Sequence, residues 1–151
     1  MNKKNSLGML LLSLLFMPAF AYAYTDAFVM NWAQSLLIDT FDTNYLETSA
    51  EVYAVQKKYP HAAWVPMNNF FSHELNIIRE HKLVLHPRPI GQAILVSKGN
   101  YMGTASWRVK QSLSVPELQM NIDYSALIIQ SKDPKAEPFL VQSIDMKVHH
   151  Y

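Results

Sequence analysis

His73-Glu74 and Glu80-His81 are the residues of this chain with the widest chemical reach, since imidazoles and carboxylates together bind metals and move protons. A zinc-protease helix needs histidines at i and i+4, because only that spacing aims two imidazoles at one ion. Position 77 is Ile77, so the motif fails. His73 and His81 stand two turns apart, about 12 Å along a helix, too far to share a metal directly. A solvated helix face is the reading these four residues support. His149 and His150 close the chain and read as a polar strand end.

Carboxylates are the next candidates, because an Asp buried in an α+β roll can serve as a general base when burial raises its pKa. Asp39, Asp42 and Glu47 lie near helix ends, where solvated acids and caps are common. Asp123 is followed by Tyr124, which points to the opposite face of a strand, and the sequence offers it no evident proton-transfer partner. The chain has no cysteine, which removes thiolate ligands, Cys nucleophiles and disulfides. It has no G-x-S-x-G, Walker or G-x-G-x-x-G run, and four glycines leave little for a phosphate cradle. The expectation is no catalytic residue, no cofactor-binding residue and no metal ligand. Trp32, Trp64 and Trp107 fall where periodicity already demands core, so burial is their default.

The elements that must position these residues change period halfway along the chain. Thr25 and Asp26 can cap a helix with a broad apolar stripe of Phe28, Val29, Trp32, Ala33, Leu36 and Leu37. Asp39 to Ser49 reads as its fraying end and a turn. Glu51 to Tyr59 suits a short second helix stopped by Pro60, and Met67 to His81 a third, with Phe70, Phe71, Leu75 and Ile78 inward. From Thr104 to Val115 alternate residues give one face of Ala105, Trp107, Val109, Gln111, Leu113 and Val115. The other face is Thr104, Ser106, Arg108, Lys110, Ser112 and Ser114. That is a strand with one wet face, as in an antiparallel sheet covered on one side. Ile90 to Ser97 precedes it, with Lys98-Gly99-Asn100 as the expected hairpin turn. Pro87 and Pro89 confine the start of that strand to an edge or a bulge. Met120 to Gln130 is the third strand. Lys132-Asp133-Pro134-Lys135 makes a turn, and Phe139 to Val148 is the last strand. Helices followed by a four-stranded meander predict an α+β fold, with the helices packed on one face of an antiparallel sheet.

The chain has 151 residues, 50% of them hydrophobic, with 13 Lys+Arg against 12 Asp+Glu. This suits one globular domain, and no basic excess of the kind a nucleic-acid binder carries is visible. Lys3 and Lys4 precede an apolar run from Leu7 to Met17. Pro18 breaks the run, and Ala21-Tyr22-Ala23 supplies a small-residue cleavage pattern. Residues 1–23 therefore read as a secretory signal peptide, and residues 24–151 as a single exported domain. Cleavage leaves 11 basic and 12 acidic side chains. An uncleaved segment would instead tether the chain, because Leu7 to Tyr24 is uncharged and just long enough to span a bilayer. Export without cysteines suits a bacterial periplasm.

Several stretches, taken in order, resemble the DotI/IcmL family of type IVB secretion and conjugation proteins. Phe41-Asp42-Thr43-Asn44-Tyr45 is similar to that family's Phe-Asp…Asn-Tyr segment, one residue shorter here. Trp64, Met67 and Phe70, following Tyr59, resemble its aromatic-rich helix, with Ala63 in place of a glycine. Gly103-x-x-x-Trp107-x-Val109-x-x-x-Leu113-x-Val115 resembles its central strand, with Ala105 at a position where the family has an aromatic. The likeness spans most of residues 28–148. It implies a periplasmic domain with a helical layer on a curved antiparallel sheet, akin to the nuclear-transport-factor-like roll. It also implies a non-enzymatic role through contacts with secretion-system proteins or with further copies of itself. The family carries a transmembrane anchor where this chain has a signal-like segment, so a soluble accessory subunit is the implied variant. A small-ligand binder or enzyme using the hollow of the roll is the alternative.

Overall fold

Thr25 opens the first helix, its hydroxyl accepting a hydrogen bond from the Phe28 amide at 3.2 Å. The computed structural model describes residues 24–133 and 137–151. The expected signal segment 1–23, and Pro134 to Ala136 around the expected Lys132–Lys135 turn, lie outside the described residues. Helix α1 (Asp26–Phe41) buries Val29, Ala33, Leu36, Leu37, Thr40 and Phe41, so it continues through the stretch expected to fray. Burial of Phe41 holds that last turn. Phe28 and Trp32 sit at the margin of the core: Phe28 is exposed and stacks on Tyr24, and Trp32 is half-buried.

Helix α2 (Ser49–Gln56) begins with a capping box in which Thr48 and Glu51 satisfy one another's backbone amides. It contains no fully buried residue and ends before the Tyr59 limit expected from sequence. Helix α3 (His61–Glu80) starts six residues ahead of the expected Met67. Pro60 stands at the N-cap of α3, its carbonyl accepting from the amides of Ala63 and Trp64 at 3.0 Å each. Ala63, Trp64 and Met67 are buried, and their packing carries the helix past Pro66, whose ring interrupts the backbone bonding.

Four strands follow in a simple antiparallel order: β1 (Arg88–Tyr101), β2 (Thr104–Val115), β3 (Met120–Gln130) and β4 (Phe139–His150). The expected bounds of β2 and β3 hold. The β1–β2 turn does not fall at Lys98-Gly99-Asn100; those residues pair within the hairpin, and the turn is Met102-Gly103. Both have positive φ, +50° and +82°, the geometry a two-residue hairpin turn needs. The Asn100 side chain braces it by accepting the Gly103 amide at 2.8 Å. β1 is an edge strand with two irregularities, one between Ile90 and Ile94 and one between Leu95 and Ser97. That edge position and the bulging agree with the restriction set by Pro87 and Pro89.

The inner face of the sheet carries the core. Trp107, Ile128 and Val141 form one cross-strand row, Val109, Ala126 and Ile144 the next, and Leu113 pairs with Ile122 below them. All eight are 5% exposed or less. Phe139 is an aromatic hub, with the rings of Tyr24, Trp32 and Trp107 at 4.7, 5.3 and 5.6 Å. Asp26 ties α1 to the sheet, its Oδ1 accepting from Lys98 Nζ at 2.8 Å and Trp107 Nε1 at 3.1 Å. The loop after α1 is fastened to the segment after α3: Tyr45 donates its amide to Leu83 O, and Leu85 donates to Thr43 O.

Candidate functional site

Gln111, the one polar residue on the inner face of β2, explains the irregular edge. Its Nε2 donates to the carbonyls of Ile90 and Gly91 at 3.2 and 3.1 Å, and lies 3.2 Å from that of Ser112. The side chain occupies the arch where three residues of β1 (91–93) face one of β2. Gly91 takes φ +71° there, a conformation that costs glycine little and other residues more. With β1 arched, the outer face opens into a groove of about 480 Å³. Ile90, Gln92 and Ile94 line its β1 side, and Lys110, Ser112, Asp123, Ser125, Asp145 and Lys147 line it along β2 to β4. Ile90 and Ile94 are 46% and 63% exposed, unusual for isoleucines on a folded domain.

Asp123 corrects an expectation. The register sets it opposite Ser112 and one step diagonally from His149, so it has two partners where the sequence offered none. Ser112 Oγ donates to Oδ1, and His149 Nε2 lies 3.0 Å from Oδ2. The order of groups decides against hydrolase chemistry. A hydroxyl nucleophile needs the imidazole between itself and the carboxylate. Here the carboxylate is in the middle, and the hydrogen bond from Ser112, then that from His149, holds it below the usual carboxylate range, making it a weaker base.

The other candidates scatter. His73 is 81% exposed at its side chain, with its Nε2 3.9 Å from the Oε1 of largely buried Glu74. Glu80 and His81 are exposed at the far end of α3. Asp39 and Asp42 are exposed at the end of α1, and Glu47 accepts a hydrogen bond from Thr43 Oγ1. Sequence reasoning missed a polar seam inside the core. Thr40 Oγ1 donates to Leu36 O at 2.6 Å and therefore accepts the Tyr59 hydroxyl at 2.7 Å. The Tyr124 hydroxyl, on the inner face beside Gln111, has no hydrogen-bond partner among the described residues. Burial pushes both phenols well above their ordinary pKa, so they stay neutral. Trp64 and Trp107 are buried as their periodicity requires.

The inner face is filled by the rows of side chains above, so the sheet is not the wall of an open roll. A crevice of about 70 Å³ lies instead between α2 and α3, among Val52, Val55, Trp64, Phe71 and Leu75. Among the described residues no helix is long and apolar enough to cross a membrane.

A helical layer on a four-stranded antiparallel meander, with one sheet face packed and the other bare, is an α+β fold of DotI/IcmL-like type. The solved structures it matches are the periplasmic domain of DotI, an IcmL-like type IV secretion system protein from Legionella pneumophila, and a periplasmic fragment of TraM. Against DotI the TM-score is 0.68 at 20% identity, covering 84% of this chain and 98% of that one. The IcmL-like protein gives 0.63 at 13% identity, with 85% and 96% covered. TraM gives 0.70 at 13%, with 83% and 98% covered. No protein-family model matches the sequence, and no curated protein does. The residues that carry the sequence resemblance are packing residues: Phe41 and Trp107 are core, Gly103 makes the hairpin turn, and Thr43 to Tyr45 tie α1 to the end of α3. They specify the fold.

Proposed function

We propose that this chain is a periplasmic component or accessory protein of a type IVB secretion apparatus, exported by its first 23 residues and acting through protein–protein contacts without chemistry of its own. The observation that carries this reading is the agreement between an ordered sequence resemblance and a fold match covering nearly the whole of the DotI periplasmic domain, the IcmL-like type IV secretion system protein and the TraM periplasmic fragment. The arrangement of Ser112, Asp123 and His149 supports a non-enzymatic role, since it places an acidified carboxylate where a catalytic base would have to be. The small-ligand alternative has less to rest on, because the sheet's inner face is occupied by side chains. Affinity capture of the tagged chain from the host envelope should recover secretion-apparatus proteins; repeated recovery of none would sink the proposal.

A further inference from the structure

Strand β1 carries more residues than its pairing with β2 can use. Ile90 faces Ser112 and Ile94 faces Lys110, so residues 91–93 stand against Gln111 alone, and Val96 is left over between Leu95 and Ser97. The arched register is held by left-handed backbone at Gly91 and Met102, φ +71° and +50°. Lys98 helps to hold it, its Nζ donating to Asp26 Oδ1 at 2.8 Å. The arch leaves a defect in the core. Gln111 Oε1 and the Tyr124 hydroxyl, on residues directly opposite across β2 and β3, are buried without a hydrogen-bond partner among the described residues. Unmade bonds of that kind are costly.

A second register removes these features together. Carried upward from Ile90 and Ser112 without a slip, the pairing sets Gly91 against Gln111, Ile94 against Arg108, and Leu95 against Trp107. Ala93 and Leu95 still face the core against which they now pack, because residues two apart share a face. The surplus residues pass into a five-residue loop, Gly99 to Gly103, a length that hairpins commonly use, with glycine at both ends. Gly91 closing on β2 displaces the Gln111 side chain from the arch and frees its amide for the Tyr124 hydroxyl. We propose that β1 slides between this flush register and the arched one, and that the slide closes and opens the outer-face groove. The hollow between Ile90, Ile94 and Lys110 exists only while the strand is arched, since flush strands lie at ordinary sheet spacing. The device is internal to the chain, and failure to capture secretion-apparatus proteins would leave it standing.

The chain has no cysteine, so engineered pairs can report each register through their rates of disulfide formation in oxidised glutathione. Ile94→Cys with Lys110→Cys closes in the arched register, where the two residues face one another. Ile94→Cys with Arg108→Cys closes only in the flush register, because a pair offset along the strands lies beyond disulfide reach. Ile94→Cys with Ser112→Cys, offset equally to the other side, fits neither register and measures general loosening. On the purified exported chain both registered pairs should oxidise faster than this control. A Cβ at Gly91 meets nothing within 4 Å, so Gly91→Ala acts through the left-handed backbone alone. It should speed the flush pair about tenfold. Met102→Gly relieves the two-residue turn of the arched register and should slow the flush pair about fivefold. A flush pair no faster than the control would overturn the proposal, as would a rate that either substitution leaves unchanged or moves the other way.

Discussion

Strand β2 presents two faces built from alternate residues of one twelve-residue segment, and they have opposite fates. Trp107, Val109, Leu113 and Val115 point at the helices and are 3% exposed or less, whereas Arg108, Lys110, Ser112 and Ser114 face outward, Lys110 and Ser112 lining the groove. The inner set determines stability, because large buried side chains each contribute a few kcal/mol. The outer set is nearly irrelevant to stability and free to meet another surface. One strand thus separates what holds the fold from what the fold displays. Substitutions chosen by face should divide cleanly.

The largest expected effect is Trp107→Ala. It removes a ring packed at 5.6 Å on Phe139 and breaks the bond to Asp26, so it should lower stability by roughly 3–5 kcal/mol, read as a drop in denaturant midpoint. The polar seam sharpens the picture of the inner face. Tyr59→Phe deletes a made hydrogen bond to Thr40 and should cost about 1 kcal/mol, while Tyr124→Phe deletes an unpartnered hydroxyl and should be neutral or stabilising. Equal costs for the two would show that the Tyr124 hydroxyl is satisfied. Thr48→Ala removes the capping box and should cost about 1 kcal/mol, concentrated in α2, where hydrogen exchange should quicken before it does in β2 or β3.

Acid should weaken the fold in a defined window. Asp26 is held below its ordinary pKa by the hydrogen bond from Lys98 and then that from Trp107, and Asp123 by those from Ser112 and His149. A lowered folded-state pKa gives stability that is fully present above the usual carboxylate range and is lost as pH falls through the lowered value. The Asp26→Asn, Asp123→Asn double variant should therefore lose less stability than wild type on acidification, measured as denaturant midpoint against pH. Arg108→Ala, one residue from Trp107 but on the outer face, should change stability by less than about 0.5 kcal/mol.

Much of this division was legible in the sequence, because a strict period of two needs no long-range information. Residues 104–115 show it with Gln111 as the single exception, and the α1 cap at Thr25 is equally local. The hairpin turn was misplaced because Lys98-Gly99-Asn100 has turn composition, whereas the real turn puts Met102 in a left-handed conformation seldom taken by methionine. Beginning α3 at Met67 missed its first turns, because only the tertiary burial of Ala63, Trp64 and Met67 outweighs the proline within them, Pro66. The groove was invisible for a different reason. It depends on a slip of register at Ile90–Ile94 and on a glutamine that fills the arch, both consequences of pairing between distant residues. The partners of Asp123 were hidden likewise, since Ser112 and His149 become its neighbours only once both registers are set.

The proposal that the chain acts through protein–protein contacts is tested most directly by site-specific photo-crosslinking in the living host, with the bare outer face of the sheet compared against the helical layer. A photoreactive residue in place of Lys110, which floors the groove, should give covalent adducts with a second copy of the chain or with secretion-apparatus proteins. The same residue in place of Asn69, exposed on α3, should give few. Adducts from position 69 with none from position 110 would contradict the account and move the working surface to the helices.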